Sequence, residues 1–62
     1  MNFKKFMELY ANYNGNLVVN DDDLDLIVKG RVVSVMDNRK DLWNMEVVVF
    51  DFLDNELCVR VR

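Results

Sequence analysis

43-WNMEVVVFDFLDNELCVRVR-62 holds two apolar runs on either side of Asp54-Asn55, and its reading decides the fold. Asn and Asp tolerate the left-handed backbone that a two-residue hairpin turn requires, so Asp54-Asn55 is the natural loop. Leu53 then pairs with Glu56. Counting back sets Phe52 against Leu57, Phe50 against Val59 and Val48 against Val61, an entirely apolar face. The opposite face carries Asp51 with Cys58, Val49 with Arg60 and Val47 with Arg62, a mixed set. A register shifted by one residue would mix the two faces, so the pairing is strongly specified, and the first face is the one expected to press against helices.

Working outward, Arg31 to Met36 is rich in Val and reads as a further strand, with Asp37 to Asp41 as a polar turn into Trp43. Strands 31–36, 43–53 and 56–62 would form a three-stranded antiparallel meander. Upstream, Asn20 to Gly30 fits two patterns: Leu24, Leu26 and Val28 alternate as in a strand, whereas Leu24, Ile27 and Val28 repeat as in a helix. Local signals favour the helix. Asn20 is a good N-cap, Asp21, Asp22 and Asp23 suit the positive end of a helix dipole, Asp25 precedes Lys29 by four, and Gly30 supplies a stop. Leu17 to Val19 is either an edge strand or a linker. At the N-terminus, Asn2 caps a helix over Phe3 to Asn12, with Phe3, Phe6, Met7, Tyr10 and Tyr13 along one stripe and Gly15 as a left-handed stop. The expected fold is therefore α+β: an N-terminal helix, a short second helix, then the meander, in one domain over residues 1–62.

The chain has 62 residues, 52% of them hydrophobic, a net charge of −3, one cysteine and no histidine. A domain of this size buries only about 60% of its unfolded surface, so its core is marginal. Without a disulfide or a zinc-type ligand pair, self-association as a homodimer is the remedy left open. The run Val47 to Phe50 is far too short to span a bilayer, and Lys4 and Lys5 precede no apolar stretch, so a cytoplasmic protein with no membrane partner is expected. The acidic balance argues against direct nucleic-acid binding, which needs clustered Lys and Arg.

Catalysis by nucleophile and base lacks an imidazole to activate Ser34 or Cys58. Both sit within strand patterns and read as inert. Aligned to a calcium loop, Asp21, Asp23 and Asp25 take the first three ligand positions, but Leu26 replaces the turn glycine and Val32 the bidentate glutamate. Gly15 and Gly30 are isolated and form no phosphate-cradling loop. No enzyme, metal or cofactor is expected. On the second sheet face Trp43, Met45, Val47 and Val49 would lie beside Arg60 and Arg62, a composition that protein interfaces favour, unless helices cover that face as well.

The segments FKKFMELYANYNGN at 3–16, VNDDDLD at 19–25 and DNELCVRVR at 54–62 resemble short proteins encoded by phages and prophages of low-GC Gram-positive (Firmicutes) bacteria. The resemblance implies an accessory protein acting in the host cytoplasm, similar to anti-defence inhibitors such as anti-CRISPR proteins. It transfers no functional residue. The expected function is a non-enzymatic binding protein, an inhibitor that occupies a surface of a host protein or protein–nucleic acid complex. Asp21, Asp22, Asp23 and Asp25 would steer it to a basic patch, with Trp43, Arg60 and Arg62 as a second contact region. The rival is a homo-oligomer that captures a small anionic ligand between subunits on Arg60 and Arg62.

Overall fold

A computed structural model describes residues 1–10 and 12–62. It is α+β, in the order α1 (Phe3–Glu8), β1 (Asn16–Asn20), β2 (Leu26–Arg31), α2 (Val32–Asn38), a 3-10 turn (Lys40–Leu42), β3 (Val47–Leu53) and β4 (Glu56–Val61). The strands form one mixed sheet in the order β2-β1-β4-β3.

The β3–β4 hairpin has the register derived above from Leu53↔Glu56 through Val49↔Arg60. Asp54 and Asn55 both adopt positive φ, 52° and 63°, as a mirror-image two-residue turn demands. A bulge at Val48 then shifts the count, so Val47 rather than Val48 faces Val61. Strand β3 begins at Val47, not Trp43.

The meander is replaced by a different topology. Leu17 to Val19 is neither edge nor linker: β1 lies inside the sheet, parallel to β4 and antiparallel to β2. Its period-two burial explains this, because Leu17 and Val19 are fully buried and need strands on both sides. Residues 21–29 are not a helix. A strand forms because β2 ladders onto β1, with Val19↔Val28 and Leu17↔Gly30, although a bulge before Asn20↔Leu26 turns Leu26 to the opposite face from Val28; such tertiary pairing overrides caps and dipoles worth little each.

Residues 31–36 reverse in the opposite sense, from expected strand to helix α2. Val32 and Val35, three apart, are both buried, with Met36 packed beside them. The first helical N–H groups have ready acceptors: Val32 donates to the Gly15 carbonyl (3.0 Å) and Val33 to that of Tyr13 (3.1 Å). The expected 37–41 turn is the end of α2 and the start of the 3-10 turn.

Asn2 does cap α1, its side chain accepting from the Lys5 N–H at 2.8 Å. The helix is shorter than its stripe, ending at Glu8; Ala11, within the expected span, lies outside the described residues, and Tyr13 falls beyond the helix and is exposed. Gly15 is not left-handed. It serves close approach instead: a Cβ there would stand 2.9 Å from the Asn12 side-chain amide.

Both helices pack on one side of the sheet. Phe3, Met7, Val32, Val35 and Leu42 close over Leu17, Val19, Leu57, Val59 and Val61, forming one buried cluster. Among the described residues no helix is long and apolar enough to cross a membrane.

Candidate functional site

Because the helices share one side, the other side of the sheet lies open. In β1 and β4 buried residues alternate strictly with partly exposed ones, so Asn16, Val18 and Asn20 lie beside Glu56, Cys58 and Arg60 on the uncovered face. Strand β3 adds Val49, Asp51 and Leu53; β2 adds Leu26, Lys29 and Arg31. Near one end the face dips into a shallow concavity of about 280 Å³. Asn20, Leu24, Val49, Asp51, Leu53, Cys58 and Arg60 line it. Leu24, Leu26, Val49 and Leu53 are exposed around these polar groups. Lys29 pairs with Glu56 across the face at 3.5 Å.

The aspartate cluster borders this concavity as a turn rather than a helix N-terminus. Asp21 accepts hydrogen bonds at one carboxylate oxygen from the N–H groups of Asp23 (2.9 Å) and Asp25 (3.0 Å). The Asp21 N–H donates to the Asp25 carbonyl, and Leu24 takes a φ of 67° to close the turn. Asp21 is therefore occupied by the turn itself. Asp22, Asp23 and Asp25 remain exposed.

Arg60 stands on the open face opposite Val49 and Asn20 and makes no ion pair among the described residues. Arg62, just past β4, donates to the Glu46 carboxylate at 3.1 Å, and its backbone exchanges two hydrogen bonds with Glu46. That partner raises the Arg62 pKa above its usual value, with a smaller contribution from Asp22. Beyond the Asn20↔Arg60 pair, β1 leads into the acidic turn and β4 into Arg62. Arg62 is engaged by Glu46 in an exposed ion pair, whereas Arg60 is the arginine of the two that carries no acidic partner among the described residues.

Trp43 is not on the sheet face. It follows the 3-10 turn, half-buried, and its indole N–H donates to the Met36 carbonyl at 3.2 Å. Lys4 Nζ sits 4.4 Å and Lys40 Nζ 5.5 Å from the ring centroid, and the Lys4 N–H donates to the Trp43 carbonyl. Trp43 is a joint between α1, α2 and the turn. Beside it Arg39 forks onto Asp41 with two bonds of 3.0 Å. This hydrogen bonding holds the Asp41 carboxyl below the usual carboxylate range and raises Arg39.

Cys58 is half-buried on the open face, and its thiol donates only weakly toward the Glu56 carbonyl at 3.9 Å. Among the described residues no three His, Cys, Asp or Glu side chains gather as metal ligands.

A second apolar surface lies outside the sequence expectation. On the helix side, α1 stops short of covering β3, leaving a groove of about 260 Å³ lined by Phe6, Leu9, Tyr10, Phe50, Phe52 and Leu57. The Phe6 and Phe50 rings meet at 4.8 Å between centroids. The signal was present as Phe50 and Phe52 at period two, but the sequence pattern places them in the core, not at its rim.

No family model, no curated protein and no solved structure matches this chain.

Proposed function

We propose that this protein is a non-enzymatic binding module that works by occupying the surface of a partner protein with the open face of its sheet. The observation that carries this reading is the one-sided placement of both helices, which leaves exposed leucines and valines interleaved with Arg60, Asp51 and Lys29 around a concavity. Exposed apolar patches rimmed by polar groups mark interaction sites. Asp22, Asp23 and Asp25 at its margin suit a partner whose apolar contact is bordered by basic residues, and a net charge of −3 supports the same steering. The resemblance to phage accessory proteins makes a host factor the natural target.

Site-specific photo-crosslinking in cells tests this directly. A benzophenone side chain at Leu26 or Lys29, on the open face, should yield a discrete heavier adduct. The same group at Val33, exposed on α2, should not. Adducts from Val33 alone would overturn the assignment of the face. With a captured partner in hand, replacing Asp22, Asp23 and Asp25 by Asn should slow association in low salt and matter little in high salt.

A further inference from the structure

The two edges of the sheet differ in what covers them. At the start of β3, Asn2 bridges Glu46, with the Phe3 N–H on the Met45 carbonyl at 2.8 Å and the Val47 N–H on the Met1 carbonyl at 3.0 Å. Strand β2 ends the sheet on the other side, and among the described residues no strand or bridge lies outside it. Its register fixes which groups are left over. The Val32 N–H donates to the Gly15 carbonyl at 3.0 Å, which carries the β1–β2 ladder one pair beyond Asn16↔Arg31. Bonded pairs alternate in an antiparallel ladder, so Gly30 turns its main-chain groups toward β1, and Lys29 and Arg31 turn theirs outward. Arg31 is the N-cap of α2, and its carbonyl begins that helix. The Arg31 N–H and both main-chain groups of Lys29 are left on the rim.

Charge decides what can pair there. Lys29 and Arg31 stand two apart on the open-face side of β2, beside Val18 and Asn16. Lys29 meets Glu56 at 3.5 Å, whereas Arg31 makes no ion pair among the described residues. Basic side chains on an edge strand repel an intruding strand of like charge. A second copy of β2 meets that barrier in full. Each antiparallel self-pairing within the straight stretch sets two basic side chains opposite each other, and pairings nearer Leu26 run into the bulge at Ile27. An acidic strand meets attraction instead.

We propose that the outer edge of β2 takes an extended acidic segment of a partner protein as an added strand, antiparallel to β2. One acidic residue of the segment faces Arg31, and the next but one, toward its C-terminus, faces Lys29. The residue between them is apolar. It lies on the helix side beside Gly30, which offers no side chain; a Cβ there would stand 3.6 Å from the Val35 side chain, so the gap suits a small branched residue. The acidic pair is confined to this end, because the other end of β2 leads back to Asp25 and the acidic turn. Main-chain bonds hold such a segment, and the alternating acids select it.

This pairing goes beyond the open-face reading and does not rest on it. The probe is the synthetic peptide acetyl-Thr-Glu-Val-Glu-Val-Thr-amide, titrated into the isotope-labelled full chain and followed by NMR. The Lys29 and Arg31 amides should shift most and should exchange with solvent more slowly as peptide is added. Replacing both glutamates of the peptide by lysine should weaken binding about tenfold, as two cross-strand ion pairs imply. Lys29→Glu combined with Arg31→Glu should invert that preference, with the same spectra reporting that the fold is kept. N-methylation of the second glutamate, whose N–H meets the Lys29 carbonyl, should abolish binding. N-methylation of the valine between the glutamates, whose nitrogen points away from β2, should leave it intact. Silent β2 amides at millimolar peptide overturn the proposal, as do equal losses from the two N-methyl peptides or shifts centred on β3. Open-face adducts in cells alongside a silent β2 edge would leave the docking reading standing alone; a β2 response without such adducts would do the reverse.

Discussion

Asp21 closes the β1–β2 turn with its own side chain, and its neighbours of the same type do not share that task. Asp21→Ala strips an acceptor from two backbone N–H groups and should cost about 1 kcal/mol. For a domain of this size that lowers the thermal midpoint by roughly 4–8 °C, measured by circular dichroism. Asp22→Asn and Asp23→Asn should stay within about 0.5 kcal/mol of the parent, since neither side chain holds the turn. The Arg39–Asp41 fork makes a second residue-level prediction. Its hydrogen bonds depress the Asp41 carboxyl, so any stabilisation it gives is present above the ordinary aspartate pKa and is lost as pH falls through the depressed value. Side-chain carbon shifts in an NMR titration should place Asp41 below ordinary aspartate, and Arg39→Gln should bring it back up. An Asp41 titration unchanged by Arg39→Gln would contradict the fork.

Elements differ in how far they could be read from the chain, and the difference follows the range of the interactions that decide them. The β3–β4 hairpin was legible because its determinants are local: two turn residues that accept positive φ and an alternation that survives only one register. The cap at Asn2 was legible for the same reason. Residues 21–29 and 31–36 were each assigned the other's structure, because their local signals are weak beside long-range contacts. Three aspartates that look like a helix N-terminus lie in a turn that Asp21 alone closes, and Val32 and Val33, β-formers by propensity, start a helix once their N–H groups find the Gly15 and Tyr13 carbonyls. The parallel β1–β4 pairing joins segments roughly 40 residues apart, and no local pattern announces such a partner. The same reason hid the groove beside α1 and misplaced Trp43. Native-state hydrogen exchange checks the order of the sheet. The Leu17 and Val19 amides, inside it, should be among the slowest to exchange, and the outward Phe50 amide of the edge strand among the fastest. Rapid exchange throughout 17–19 would restore the edge-strand alternative.

The whole molecule is a thin two-layer domain, with helices on one side, an uncovered sheet on the other, and a long apolar edge strand. Among the described residues ten form the buried core, which leaves little margin, so one large loss should be felt globally. Phe3→Ala, which empties the fully buried ring position under α1, should cost about 3–5 kcal/mol and leave much of the chain unfolded at ambient temperature, read by loss of tertiary circular dichroism. The proposed docking face and the buried core lie on opposite sides of the sheet, so open-face substitutions such as Leu26→Asp should abolish adducts while sparing the fold. The central claim, that the open face is covered by a partner in the cell, is tested most directly by the reactivity of Cys58, which lies on that face. Its alkylation rate would be compared between the purified protein and the same protein in intact cells, each referred to the rate after denaturation. The account predicts markedly slower labelling in cells than in isolation at matched concentration; equal rates in the two settings would contradict it.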